Sequence, residues 1–121
     1  LGFIERDEAN AAAMAAMRVA VRATKAVATV AGFGPRFLHS TGQAYKGGPA
    51  SGLFLTITRD PHPDLSIPGR KASFGTIQIA QARGDMAVLA ARGRPVLRVH
   101  IKKDGGGIET LRAAVIAATQ N

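Results

Sequence analysis

The stretch that decides the fold runs from residue 53 to residue 101, between Leu53-Phe54-Leu55-Thr56-Ile57-Thr58 and Val96-Leu97-Arg98-Val99-His100-Ile101. Each of these two segments is a short run rich in β-branched and large apolar residues, which predicts a strand. The residues between them predict a helix over 74–92, capped by Ser73 and ended by Gly93. A strand, a crossover helix and a second strand make the two strands parallel, with a right-handed connection.

Further elements are predicted on both sides of this unit along the chain. Residues 8–30 are rich in Ala and contain neither Gly nor Pro, so they predict a long helix that starts at the N-cap Asp7 and stops before Gly32. A short third strand is expected at 36–39. The triplet Gly105-Gly106-Gly107 predicts a turn before a last helix at 108–119. In the central helix, the spacing predicts a buried stripe made of Ile77, Ala80, Val88 and Ala91.

These elements predict an α/β fold, a small three-layer-type fragment with a short, at least partly parallel sheet flanked by helices. The 121 residues fit a single domain. Because this sheet is short for an independent doubly wound fold, we expect it to be the end of a larger domain or to pair with another copy in a homo-oligomer.

Composition limits the classes of partner. The net charge of +8 comes from basic residues that are scattered along the chain, so we favour a solvated surface over nucleic-acid binding. No run of eighteen apolar residues is present, and we expect no membrane partner. The chain has no Cys, which is compatible with a reducing compartment, and we predict a cytoplasmic location.

The richest chemistry lies in the segment Phe37-Leu38-His39-Ser40-Thr41-Gly42-Gln43-Ala44-Tyr45-Lys46-Gly47-Gly48-Pro49. The imidazole of His39 can exchange a proton near neutral pH, which suits proton transfer, although a His in a polar loop is more often a surface residue. The ammonium of Lys46 can contact a phosphate, although most lysines in such turns are only solvated. The Gly and Pro content predicts a loop that could surround a small polar ligand.

Motifs of several other enzyme classes are absent from the sequence. The spacing from Gly42 to Gly47 suits a phosphate loop, but Gly48 occupies the position of the required Lys. Dinucleotide-binding, zinc-protease and nucleophile-elbow motifs are missing, and the three His residues lack metal-ligand spacing. We therefore predict no metal site.

The chain resembles the C-terminal part of bacterial phosphoglucose isomerase, especially the form fused to transaldolase. The resemblance covers roughly residues 8–101. It is carried by the His39-Ser40-Thr41-Gly42-Gln43 element with Lys46-Gly47-Gly48-Pro49, by Ile67-Pro68-Gly69-Arg70, by Ala80-Gln81-Ala82-Arg83-Gly84-Asp85 and by residues 92–100.

The resemblance implies interconversion of glucose 6-phosphate and fructose 6-phosphate without metal or organic cofactor. His39 matches the family's ring-opening His, and Ser40, Thr41, Gln43 and Lys46 are then candidates to line the sugar-phosphate pocket. The family's Ser/Thr-rich phosphate loop is missing here, and Gln78 stands where relatives often have Lys. No catalytic Glu can be assigned, because Glu5 and Glu8 match no family motif.

The resemblance therefore implies that the chain is the C-terminal domain fragment of a larger isomerase, that it works with upstream domains of the same parent enzyme, and that it is inactive, or nearly so, by itself. The alternative is a non-catalytic sugar-phosphate binding or assembly module, which needs the loop but no acid/base partner. Nucleic-acid binding is a third hypothesis that rests only on the net charge, and it predicts strongly salt-dependent retention of DNA or RNA.

Overall fold

The computed structural model describes residues 1–102 and 106–121, and the predicted turn at 105–107 lies partly outside them. The elements in chain order are β1 (Gly2–Phe3), α1 (Glu8–Lys25), a 3₁₀ helix (Arg36–His39), α2 (Thr41–Gly47), β2 (Phe54–Arg59), α3 (Phe74–Ala91), β3 (Val96–Ile101) and α4 (Gly107–Thr119). The chain forms two compact units. The first contains Leu1–Ile4 and Gly32–His100, and the second contains Glu5–Ala31 and Ile101–Asn121.

The sheet has three parallel strands in the order β1-β2-β3. Strand β1 pairs with β2 through Gly2 opposite Ile57 and Phe3 opposite Thr58, and the amide of Ile57 donates to the carbonyl of Leu1 at 2.8 Å. Helix α3 packs against both β1 and β2. The predicted α/β class with a short parallel sheet and a crossover helix is therefore confirmed.

The strand predicted at 36–39 is wrong, because these residues form the 3₁₀ helix and the third strand is β1. Pro35 has φ −84° and ψ 0°, which turns the chain instead of extending it. Two bonds of the i to i+3 type close the turn, from the Leu38 amide to the Pro35 carbonyl and from the Ser40 amide to the Phe37 carbonyl, both at 3.0 Å.

Helix α3 begins where the sequence predicts, but it buries a different face. Its buried residues are Gly75, Ala82, Asp85 and Leu89, whereas the predicted stripe of Ile77, Ala80, Val88 and Ala91 is exposed. Apolar residues occur all around this helix, so their spacing does not identify one face. The buried face instead includes a glycine and a carboxylate, which a hydrophobic pattern cannot detect.

In the second unit, α1 packs against α4. The N-cap prediction is confirmed, since Asp7 Oδ1 accepts a hydrogen bond from the Asn10 amide at 2.7 Å. The helix ends at Lys25, earlier than predicted, because Ala26 adopts a left-handed conformation with φ 53°. The hydroxyl of Thr29 then donates to the carbonyl of Arg18 at 3.2 Å, which folds the following segment back along the helix.

Within residues 1–102 and 106–121, no helix combines the length and the apolar character that crossing a membrane requires.

The start of α3 is fixed by a carboxylate from the preceding loop. Asp64 accepts a hydrogen bond from the Ser73 hydroxyl at 2.6 Å and another from the Gly75 amide at 2.9 Å. The Ser73 hydroxyl oxygen accepts from the Thr76 amide at 3.1 Å, as predicted for the N-cap. The two hydrogen bonds to Asp64 favour its charged form, and the one from Ser73 contributes most to lowering the pKa of Asp64 below its ordinary value.

This lowered pKa predicts a pH dependence of stability. Since the pKa of Asp64 is lower in the folded state than in the unfolded chain, its contribution is complete above the unfolded pKa and is lost as the pH falls through the folded pKa. In Ser73→Ala, we expect an NMR titration to place the pKa of the Asp64 carboxyl closer to its ordinary value. Ser51→Ala, in an exposed turn, is the control, and an unchanged Asp64 titration in Ser73→Ala would contradict the assignment.

Candidate functional site

The polar segment at 37–49, for which the sequence predicts a loop, folds as two short helices that meet at Ser40. The 3₁₀ helix Arg36–His39 is followed at once by α2, Thr41–Gly47. Gly42 is buried at the junction, where an added Cβ would lie 2.8 Å from the carbonyl oxygen of Phe37. Only a glycine allows the two helices to approach so closely, which gives Gly42 a packing role at this junction.

Aromatic side chains connect this segment to the sheet. The Phe37 ring lies 5.5 Å from the Phe3 ring of β1 in an edge-to-face arrangement, and 6.3 Å from the Tyr45 ring of α2. Tyr45 in turn lies 5.5 Å from Phe54 of β2. Four of the six aromatic residues in the chain therefore form one continuous row across β1, the 3₁₀ helix, α2 and β2. Aromatic pairs prefer defined relative orientations and stabilise a fold beyond the apolar area that they bury.

A buried guanidinium holds the C-terminal end of α2. Arg94 is only 8% exposed, and its Nε donates to the carbonyl of Tyr45 at 2.7 Å. One terminal amino group donates to the carbonyl of Gly48, and the other donates to the carbonyl of Arg92 at 2.9 Å. The last carbonyls of a helix lack internal partners and carry partial negative charge, so a cation is favourable at this position.

An ion pair holds the same helix to α3. Lys46 Nζ lies 2.6 Å from Asp85 Oδ1, and the Asp85 side chain is 2% exposed while that of Lys46 is 19% exposed. The contact is a charge pair and not an aligned hydrogen bond, because Asp85 Oδ1 has no hydrogen-bond partner of good geometry among the described residues. The ammonium of Lys46 therefore neutralises the buried carboxylate of Asp85, which gives the Lys46 side chain a structural role.

The remaining sequence-predicted residues divide into two groups. Gln43 and Ser40 are committed to the segment itself, since Gln43 Nε2 donates to the Leu38 carbonyl at 2.9 Å and the Ser40 hydroxyl donates to the Phe37 carbonyl at 3.3 Å. His39 and Thr41 are exposed, and their side chains form no hydrogen bond with any described residue. The structure thus brings His39, Ser40 and Thr41 together at the junction, with Lys46 at the opposite end of α2.

The two anchoring residues Asp85 and Arg94 were missed from the sequence. Asp85 and Arg83 are the only charged residues of α3, so the single carboxylate of this helix was a usable signal. Arg94 offered no comparable signal, because it lies in a basic stretch with Arg92 and Arg98. Gln78 also contributes, since its amide donates to the carbonyl of Gly34 at 3.3 Å, directly before the segment.

None of the five candidate residues lines the pocket found beside α3. That open pocket has a volume of about 280 Å³ and is lined by Pro61, Gly75, Thr76, Ile79, Ala80 and Arg83. In the described parts of the chain, no three His, Asp or Glu side chains are grouped so that they could hold a metal ion. The candidate site is therefore an exposed edge of the segment and not an enclosed cavity.

No family model, no curated protein and no solved structure matches this chain.

The buried ion pair predicts an asymmetric response to substitution. Lys46→Met leaves the Asp85 carboxylate buried and without its ion-pair partner, and we expect a loss of about 3–5 kcal/mol in the free energy of unfolding. Asp85→Asn should cost less, because the Lys46 ammonium is partly exposed and can turn toward water.

Urea unfolding of the two variants measures this difference. Glu109→Gln is the matched control, because it breaks the exposed Arg112–Glu109 pair, for which we expect a loss of about 0.5 kcal/mol or less. Equal losses in Lys46→Met and Asp85→Asn, or losses no larger than in the control, would contradict the role given to the pair.

Proposed function

We propose that this chain is the C-terminal segment of an aldose–ketose isomerase that acts in the cytoplasm and interconverts glucose 6-phosphate and fructose 6-phosphate. The observation that carries the proposal is the placement of His39. It ends the 3₁₀ helix with an exposed ring, while the residues around it are fixed by Phe37, Gln43 and Lys46. The His39 imidazole is therefore accessible to a ligand, and the backbone that carries it is held by packed neighbours, as proton transfer to a bound substrate requires.

His39 would act on the cyclic form of the sugar. Opening the ring requires a proton at the ring oxygen as the bond to the anomeric carbon breaks, and the loss of a proton from the anomeric hydroxyl. An imidazole can supply the first proton and accept one afterwards, because both of its forms are populated near neutral pH. The hydroxyls of Ser40 and Thr41 stand next to His39 in the chain and would hydrogen-bond the sugar, Thr41 as donor or acceptor and Ser40 as acceptor only, because its hydrogen is donated to the Phe37 carbonyl at 3.3 Å.

Gln43 and Lys46 take a different part in this proposal from the one that the family resemblance implies. Their side chains are committed to the Leu38 carbonyl and to Asp85, so they would support the segment while His39, Ser40 and Thr41 contact the ligand. The phosphate group of the substrate would then be bound by another part of the parent enzyme.

The second step, transfer of a proton between C1 and C2, needs a carboxylate base. The carboxylate that contacts the segment belongs to Asp85, which is buried and paired with Lys46. It is therefore unsuited to reach a substrate near His39. This observation favours the second candidate, a non-catalytic sugar-phosphate binding or assembly module, for the chain by itself.

Two measurements on the isolated chain test the proposal. We expect fructose 6-phosphate at millimolar concentration to shift the imidazole NMR signals of His39 in a saturable manner. His62→Gln should leave this shift intact, because His62 is an exposed residue of the proline-flanked loop after β2. The absence of any saturable shift of His39 would contradict both the isomerase and the binding-module interpretation.

A coupled assay for glucose 6-phosphate formation separates the two interpretations. We expect the isolated chain to be silent, and turnover by it would contradict the assignment of the base to another part of the enzyme. When the chain is joined to a sugar-isomerase domain that restores turnover, His39→Ala should slow the reaction of cyclic substrate far more than that of the open-chain form. If the isolated chain binds the sugar phosphate but joining it to a sugar-isomerase domain restores no turnover, the non-catalytic module is supported instead.

A further inference from the structure

A second polar cluster lies at the carboxyl ends of β2 and β3, outside the segment discussed above. Thr58 is the fifth residue of β2, Asp60 follows the strand, and Arg98 and His100 lie on β3. Since β2 and β3 are parallel neighbours, their carboxyl ends lie at the same edge of the sheet. This edge is where open α/β sheets bind their ligands.

Hydrogen bonds connect the four side chains in a row. Arg98 Nε donates to Thr58 Oγ1 at 3.3 Å, Thr58 Oγ1 lies 3.0 Å from His100 Nδ1, and His100 Nε2 lies 3.3 Å from Asp60 Oδ1. The Asp60 carboxylate can only accept, so the proton of the neutral imidazole is on Nε2, facing Asp60. Nδ1 is then an acceptor, and the Thr58 hydroxyl donates to it while its oxygen accepts from Arg98.

The inner part of this row is fixed and the outer part is open. Thr58 is 1% exposed and His100 has a side-chain exposure of 28%, whereas the Asp60 side chain is 79% exposed. A contact at 3.3 Å to an exposed carboxylate is weak, so the Asp60 carboxylate is the member that another acceptor can replace. Asp60 thereby marks a position at which His100 Nε2 holds the oxygen of an anion.

Arg98 supplies further donors next to His100, because both side chains contact the same Thr58 hydroxyl. Its Nε is engaged by Thr58, which fixes the plane of the guanidinium, while its two terminal amino groups form no hydrogen bond with the described residues. A guanidinium held in this way recognises two oxygens of a carboxylate or a phosphate. The positive net charge of the chain also attracts anions to its surface.

We propose that Arg98 and His100 form a binding site for a small oxyanion, a phosphate or carboxylate group, from which the ligand displaces Asp60. The buried Thr58 hydroxyl orients both donors. The site is independent of the proposed isomerase function, because it shares no residue with the His39 segment and requires no sugar.

Titration of the chain with inorganic phosphate, followed through the imidazole NMR signals of His100, tests the site. We expect a saturable shift at millimolar phosphate, and about two- to fivefold tighter binding in Asp60→Asn, which removes the competing carboxylate. Glu8→Gln is the matched control, since it removes the same charge from an exposed position at the start of α1. Arg98→Met should abolish the shift, while Arg70→Met, in an exposed turn, should retain it.

Acetate in place of phosphate distinguishes the two kinds of oxyanion, and saturable binding of either one supports the site. No saturable shift of His100 with either anion, in the original chain and in Asp60→Asn, would overturn the proposal. Equal tightening in Glu8→Gln and Asp60→Asn would also overturn it, because net charge alone would then explain the binding. The exposed position of Asp60 keeps this comparison valid even if Arg98→Met does not fold.

Discussion

The buried guanidinium of Arg94 is the interaction on which the first unit depends. A cation that is 8% exposed is costly unless its donors find acceptors, and each of the three nitrogens of the Arg94 guanidinium donates to a carbonyl, those of Tyr45, Gly48 and Arg92. Hydrogen bonds that involve a charged group contribute about 1.5–3 kcal/mol each. Because these acceptors belong to the end of α2 and the end of α3, a single side chain fixes the position of both helix ends.

This constraint matters because α2 could not persist alone. An isolated helix of seven residues is far too short to be stable in water, so its existence requires tertiary contacts. Arg94 supplies them at the C-terminal end, the Lys46–Asp85 pair joins the helix to α3, and the Phe37 and Tyr45 rings attach it to the sheet. The exposed His39 consequently lies on a pair of short helices whose opposite face packs against the sheet and α3.

The sequence predicted the elements that local chemistry determines and missed those that depend on distant residues. Strand β3 has the predicted bounds, and Ser73 begins α3, because a β-branched run and an N-cap are local signals. Strand β1 has two residues and depends on pairing with the distant residues Ile57 and Thr58, which no local pattern could indicate. The buried face of α3 was predicted wrongly for the same reason, since Asp85 is buried by its pairing with Lys46.

The candidate site was only partly accessible to sequence reasoning. The chemistry of His39, Ser40 and Thr41 was visible in their order along the chain, and the structure places them together at one exposed junction. Lys46 and Gln43 have the same appearance in the sequence, yet their side chains face partners within the fold. A polar side chain that binds a ligand and one that satisfies a buried group cannot be distinguished until the partner is known.

Native-state amide hydrogen exchange of the Arg94→Met variant tests the central claim most directly. We predict that the amides of Tyr45–Gly48 lose protection, while those of β2 and α1 keep it, because the carbonyls at the end of α2 lose their cationic partner. Arg92→Met, which removes an exposed guanidinium two residues away, should leave the protection of α2 unchanged. If α2 retains its protection in Arg94→Met, the buried guanidinium does not hold the segment and the account of its rigidity is wrong.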